Sequence, residues 1–167
     1  MGQVAAPPSP VAAPPSPLTS NLCWLLSTAS HTLTTELTAA LGGEGLSPRQ
    51  HAVLATAMTG ELTQTEIARR IGLDKTTLVV TLDELERAGL AERRPSSTDR
   101  RARIIAVTDA GVAKVREAEE IIRRTHESVL SVLPEDERAR FLDALARLVT
   151  ERLCRPVQCM QPVRRRA

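Results

Sequence analysis

The chain has 167 residues, 42% of them apolar, and a formal net charge of only +2, which bounds it to one domain with tails and a real core. Its aromatic residues are one tryptophan and one phenylalanine, so Ala, Val, Leu and Ile must fill the interior, and three cysteines make no disulfide framework in a chain of this size. No apolar run reaches the ~18 residues of a membrane span, and the first residues lack a basic start and an apolar segment of the secretory kind, so a reducing, cytoplasmic location is expected.

Residues 1–17 are a Pro/Ala/Ser tail that cannot bury a core, and disorder or transient polyproline II is expected there. From Leu18 to Leu41 the pattern is helical: Leu22, Leu26, Ala29, Leu33, Leu37 and Ala40 recur at spacings of three and four, and Trp24 and Leu25 widen the stripe. Gly42-Gly43-Glu44-Gly45 breaks that helix. Ser47-Pro48 is an N-cap followed by a proline at the first helical position, and it opens a short helix over 48–58 with Val53, Leu54 and Ala57 inward.

The densest signal lies in residues 63–103. Thr63 is an N-cap, and Glu66 three residues on completes a capping box. Ile67 and Ile71 face one way, and Gly72 ends the helix. Asp74 caps a second helix to about Ala88, with Leu78, Leu82 and Leu85 as its buried stripe and Gly89 as its stop. Two helices joined by so short a turn cross steeply, as in a helix-turn-helix. Leu90–Arg94 and Arg103–Val107 are short β-type runs separated by a Pro/Ser turn and basic residues, which makes a hairpin, or wing. Arg87, Arg93, Arg94, Arg100, Arg101 and Arg103 concentrate there against only Glu86, Glu92 and Asp99, a local positive surface suited to phosphate oxygens.

Thr108 caps the next helix, along which Val115, Ala118, Ile122, Thr125, Val129 and Val132 form an apolar seam. Pro134 begins the last helix, whose acidic start suits a helix N-terminus, and Phe141, Leu145, Leu148 and Leu153 are expected on its inner face. Residues 154–167 are a basic tail. The fold class is therefore mainly α with a small β-hairpin wing. A DNA-binding module over 47–107 is flanked by long helices over 18–41, 108–132 and 134–153. The flanking stripes are wider than one small module can cover, so a second copy is expected to pack on them, placing two recognition helices about one DNA turn, ~34–36 Å, apart.

This order of elements resembles the MarR family of bacterial transcriptional regulators across residues 18–153. The resemblance rests on LTQTEIARRIGLDKTTL (62–78), LDELERAGLAERRPSSTDRRAR (82–103) and VTDAG (107–111). It implies a homodimer bound to a palindromic operator, usually as a repressor, released by a small molecule or by cysteine oxidation. It also implies that Arg101 enters the minor groove while Asp99 orients it; a narrow A·T-rich groove attracts a guanidinium, and a carboxylate fixes its planar fork. Arg94 and Arg100 are better placed for phosphate. On the recognition helix Lys75, Thr76, Thr77, Val79 and Val80 take the N-terminal or outward positions, able to meet phosphate, base edges or a thymine methyl. Many relatives carry an arginine where Val80 stands, so direct guanine readout there does not transfer. Thr63 and Gln64 are candidate backbone contacts at the start of the preceding helix.

Cys23, in NLCWLLSTAS (21–30), resembles the oxidised cysteine of the peroxide-sensing, OhrR-type branch, but the tyrosines of that branch are missing because this chain has none. A buried inert thiol is the alternative. Cys154 and Cys159 lie at the end of the last helix, where one of them could resolve an oxidised Cys23. A small-molecule effector would instead occupy a cleft lined by residues from 22–33 and 51–58, as the resemblance implies. His31, His51 and His126 are scattered and, with the C-x4-C pair, form no convincing metal set; no cofactor is expected. The sequence has no Gly-rich phosphate loop, no H-E-x-x-H and no nucleophile elbow, which argues against an enzyme. The competing readings are a nonspecific DNA binder and a winged-helix module that meets an acidic protein.

Overall fold

A computed structural model describes residues 18–97 and 101–154. Asp99, Arg100 and Cys159, and the expectations for both tails, lie outside the described residues. The chain forms two compact units that divide between Ile122 and Arg123.

The first unit opens with helix α1, Leu22–Leu41, which starts four residues later than its pattern predicts because the Asn21 side chain caps it, accepting from the Trp24 amide at 2.9 Å. A 3₁₀ turn at Gly42–Glu44 follows. Helix α2, Pro48–Ala57, carries a full capping box: the Gln50 amide donates to Ser47 Oγ, and the Ser47 amide donates to Gln50 Oε1. Helix α3 spans Gln64–Ile71 and helix α4 Lys75–Arg87. The turn between them needs a left-handed residue, and Gly72 supplies it with φ +69°.

Strands β1, Ala91–Pro95, and β2, Arg103–Val107, pair antiparallel in a two-stranded sheet, from Ala91 opposite Val107 to Pro95 opposite Arg103. The first strand runs one residue later than its composition suggests. Leu90 is used up in ending α4, since its amide donates to the Leu85 carbonyl at 2.9 Å. Pro95 is tolerated at the far end, beside the turn, where the ladder asks least of it. A third segment joins the sheet edge: the Ile105 amide donates to the Leu62 carbonyl at 3.0 Å, and Thr63 bridges Ile104.

Helix α5, Asp109–Leu130, begins in this unit. Thr108 caps it as expected, with Oγ1 accepting from the Gly111 amide at 3.0 Å and donating to the Gly89 carbonyl at 2.8 Å. The Thr108 amide reaches the Leu90 carbonyl at 3.1 Å. Gly111 is buried in the same knot, and a Cβ there would lie 2.1 Å from the Leu90 carbonyl oxygen. The core is aliphatic: Leu41, Leu46, Val53, Leu54, Leu62, Ile67, Leu78, Leu82, Leu85, Ile105, Val115 and Ala118 are all buried in one cluster. Of the α1 stripe only Leu41 is fully buried; Trp24, Leu26, Leu33 and Leu37 are half-buried, and Leu22, Ala29 and Ala40 are exposed.

The second unit holds the rest of α5 and helix α6, Glu135–Arg147, which continues as a π-helical turn, Leu148–Leu153. Pro134 is the N-cap residue of α6, and Glu135, Asp136 and Glu137 occupy its first turn, where carboxylates meet the positive end of the helix dipole. The expected inner face is not covered: Phe141, Leu148 and Leu153 are 47%, 41% and 46% exposed, and Leu145 is half-buried. Val132 at the end of the α5 seam is 84% exposed. The spacing marks an apolar face, and most of its side chains stay exposed. No helix among the described residues is long and apolar enough to cross a membrane.

Candidate nucleic-acid interface

The helix-turn-helix is fixed by short local bonds. Thr63 Oγ1 donates to Glu66 Oε2 at 2.7 Å, the Thr63 amide donates to the same oxygen at 2.8 Å, and the Glu66 amide donates back to Thr63 Oγ1. Asp74 accepts from the Thr77 amide at 2.9 Å and from Thr77 Oγ1 at 2.6 Å. These donors stabilise the charged carboxylates, and both acids are held below the ordinary carboxylate range, Glu66 chiefly by the Thr63 backbone and Asp74 chiefly by the Thr77 hydroxyl.

The caps orient α4 so that Leu78, Thr81, Leu82 and Leu85 face the core. Lys75, Thr76 and Val80 are exposed, Val80 by 52%, and Thr77 and Val79 are half-buried. The hydroxyl protons of Thr77 and Thr63 go to Asp74 and Glu66, so those two oxygens can only accept from a further partner. Gln64 is half-buried at the first position of α3.

In the wing, Arg94 is exposed and paired with Glu92 on its own strand. Arg101 and Arg103 are exposed on the returning side of the turn. Arg93, which charge counting assigns to the same positive surface, is turned inward to α4. Its guanidinium meets Asp83 at 2.8 Å and also meets Glu86, whose other oxygen accepts the Arg93 amide at 3.0 Å. It is a strut from β1 to the recognition helix. The signal that could have found it is the pair of acids three residues apart on one helix face, just before the strand.

Lys75, Thr76, Val79, Val80, Arg94 and Arg101 thus belong to one helix and hairpin of the first unit, braced to each other through Arg93. Arg69 and Arg70, in the last turn of α3, add positive charge that the motif reading passed over; Arg70 also donates to Thr59 Oγ1 at 3.0 Å. Cys23 and Cys154 are free and exposed. His51 on α2 is half-buried, its Nε2 fully enclosed with no hydrogen-bond partner, and burial lowers its pKa, against an opposing pull from Glu119. The described residues contain no cluster of His, Cys, Asp and Glu able to hold a metal ion.

A capped helix-turn-helix braced to a two-stranded hairpin, with an outward polar and basic edge, defines a winged helix-turn-helix DNA-binding module. Residues 44–102 match the model of the MarR family. Solved structures share the fold over most of the chain. A transcriptional repressor, CouR, bound to a 23-mer DNA duplex is 29% identical with a TM-score of 0.74 over 80% of this chain and 96% of that one. CouR from Rhodococcus jostii RHA1 bound to p-coumaroyl-CoA is 26% identical with a TM-score of 0.72, over 84% and 98%. A MarR-family transcriptional regulator from Rhodococcus sp. RHA1 is 26% identical with a TM-score of 0.73, over 80% and 97%. These similar structures are of transcriptional regulators.

Proposed function

We propose that this chain is a homodimeric repressor that binds a palindromic operator and is released from it by an effector. The observation that carries the reading is the outward edge of α4, with Lys75, Thr76, Val79 and Val80, braced to a hairpin whose exposed arginines include Arg94 and Arg101. In this reading α4 enters the major groove, where a lysine reaches guanine or phosphate and valine methyls meet thymine. Arg101 enters the minor groove with Asp99 beside it, and Arg94 and Arg100 contact phosphate. Gln64 presents the N-terminus of α3 to the DNA backbone, with Thr63 holding that end as its cap. The likeness to a repressor solved on a DNA duplex supports the docking.

The dimer is supported by the apolar side chains that the single chain leaves exposed, Leu22 and Leu25 on α1 and Phe141, Leu142 and Leu148 at the other end of the sequence. Exposed apolar side chains of this kind mark association surfaces. For release, a small-molecule effector is favoured over oxidation of Cys23. A similar protein is solved with an acyl-coenzyme A thioester, whereas Cys23 is exposed and lacks the tyrosines of the peroxide-sensing branch.

The test is a titration of the full-length reduced protein against its own upstream DNA and a scrambled duplex at physiological salt, with the mass of the complex measured in parallel. Selective binding by two copies is expected. Equal affinity for both duplexes, with steep salt dependence, would replace this reading by nonspecific binding. Repeating the titration after an organic hydroperoxide, with Cys23→Ser alongside, separates the effector classes: release that the substitution abolishes would assign sensing to Cys23.

A further inference from the structure

A carboxylate sits where a DNA-binding edge would be expected to avoid one. Glu61 lies in the connection between α2 and α3, is exposed, and has no part in any helix cap. Its Oε2 accepts from Ser96 Oγ at 2.8 Å and from the Ser97 amide at 3.0 Å. The Ser97 hydroxyl, then the Ser96 hydroxyl and then the Ser97 amide hold its carboxyl below the ordinary range. Ser96 is only 9% exposed, and its amide donates to the Ala102 carbonyl at 3.0 Å, closing a rung beside the wing turn. Glu61 is therefore tied to the point where the hairpin leaves the sheet. Its neighbours Leu62 and Thr63 are in turn tied to β2 and to the start of α3.

Near duplex DNA a fixed negative charge opposes binding through repulsion by phosphate. A free surface glutamate at this place would simply weaken the complex. This one is held by donors from two successive residues at the mouth of the turn, and those bonds fix a direction. We propose that Glu61 is a positioning residue for DNA binding: acting through Ser96 and Ser97, it sets the angle at which the wing leaves the sheet and so where Arg101 meets the duplex. The proposal rests on the DNA-binding reading above.

The experiment uses the full-length protein and the duplex that the wild type enriches from a random pool. Affinity is measured for wild type, Glu61→Ala, Glu61→Gln, Arg101→Ala and the double variant Glu61→Ala/Arg101→Ala. Loss of the clamp is expected to weaken selective binding on the order of tenfold, comparable to losing one groove contact. Glu61→Gln keeps an acceptor oxygen and is expected to fall between wild type and Glu61→Ala. The decisive readout is the coupling: the double variant is expected to bind no worse than Arg101→Ala alone, because a misplaced arginine and a missing one are equivalent. A purely structural role predicts additive losses that follow thermal stability, and that result overturns the proposal. Tighter binding by both Glu61 variants, the outcome of mere charge removal, overturns it as well, as does unchanged binding. If the wild type enriches no sequence, the DNA-binding reading fails and this proposal fails with it; wild-type selectivity with unaltered variants sinks the proposal alone.

Discussion

Replacing Gly111 by alanine tests the packing at the head of α5 with an unusually clear sign. In an ordinary helix the change would stabilise by ~0.5–1 kcal/mol, because alanine is the better helix former. Here the added Cβ would stand 2.1 Å from the Leu90 carbonyl oxygen and 2.7 Å from Val107 Cγ1. Neither neighbour is free to yield. The Leu90 carbonyl accepts from the Thr108 amide, and Val107 is the last residue of β2, paired with Ala91. The first turn of α5 must therefore move off the end of α4, disturbing the Thr108 hydroxyl that links Gly89 to Gly111. Overpacking of this kind costs ~1–3 kcal/mol, which outweighs the propensity gain. At the net cost of ~0.5–2 kcal/mol, the melting temperature of a chain of this size should fall by roughly 1–8 °C. Thermal and urea unfolding of wild type and Gly111→Ala at one fixed protein concentration measures it. A variant as stable as the wild type, or more so, would refute the close approach of α5 to Leu90.

Other consequences are open to equally direct tests. Arg93→Ala should cost about 1 kcal/mol of stability through loss of its pairs with Asp83 and Glu86, and should also weaken DNA binding, whereas exposed Arg94→Ala should leave stability alone and lower the salt slope of binding by about 1; matching effects from the two would contradict the strut. Because the folded pKa of Asp74 is lowered, its cap contributes above the unfolded value near 3.8 and is lost as pH falls through the folded value. Asp74→Ala should therefore lower stability at neutral pH and flatten its acid dependence, and an unaltered acid limb in unfolding curves would argue against the cap. Burial lowers the pKa of His51, so stability should decline as pH drops below its ordinary 6.5, where the unfolded chain binds the proton first. His51→Gln should shallow that decline, and an identical pH profile would remove His51 as its source.

What the sequence made legible was mostly what is local in it. Thr63 with Glu66, Asp74 ahead of α4 and Thr108 ahead of α5 are partners or caps within three or four residues of the helices they start, and each forms as read. Ser47-Pro48 marks the start of α2, and Gln50 completes a capping box there. The bonds that set the wing were not legible. Glu61 meets Ser96 and Ser97 across some thirty-five residues, and Arg93 reached back to α4 instead of outward to solvent. Charge counting sees sign and proximity in sequence, not which cation is already spent. Leu41 and Leu46, both buried, flank the glycine-rich break, and so short a stretch offers no period to read. The outer helices show the converse limit: Phe141 and Leu148 have the right spacing, but spacing says only that a face is apolar, not what lies on it.

The aliphatic core has a practical corollary for anyone following this molecule in solution. With no tyrosine and one phenylalanine, the near-ultraviolet signal belongs almost entirely to Trp24. That indole is half-buried on α1, next to Cys23 and outside the buried cluster around which α2, α3 and α4 pack. Its emission is thus a native, single-site reporter of the α1 environment, sensitive to association or thiol chemistry there. Because one half-buried indole samples only the α1 environment, far-ultraviolet dichroism or calorimetry is the fuller measure of folding.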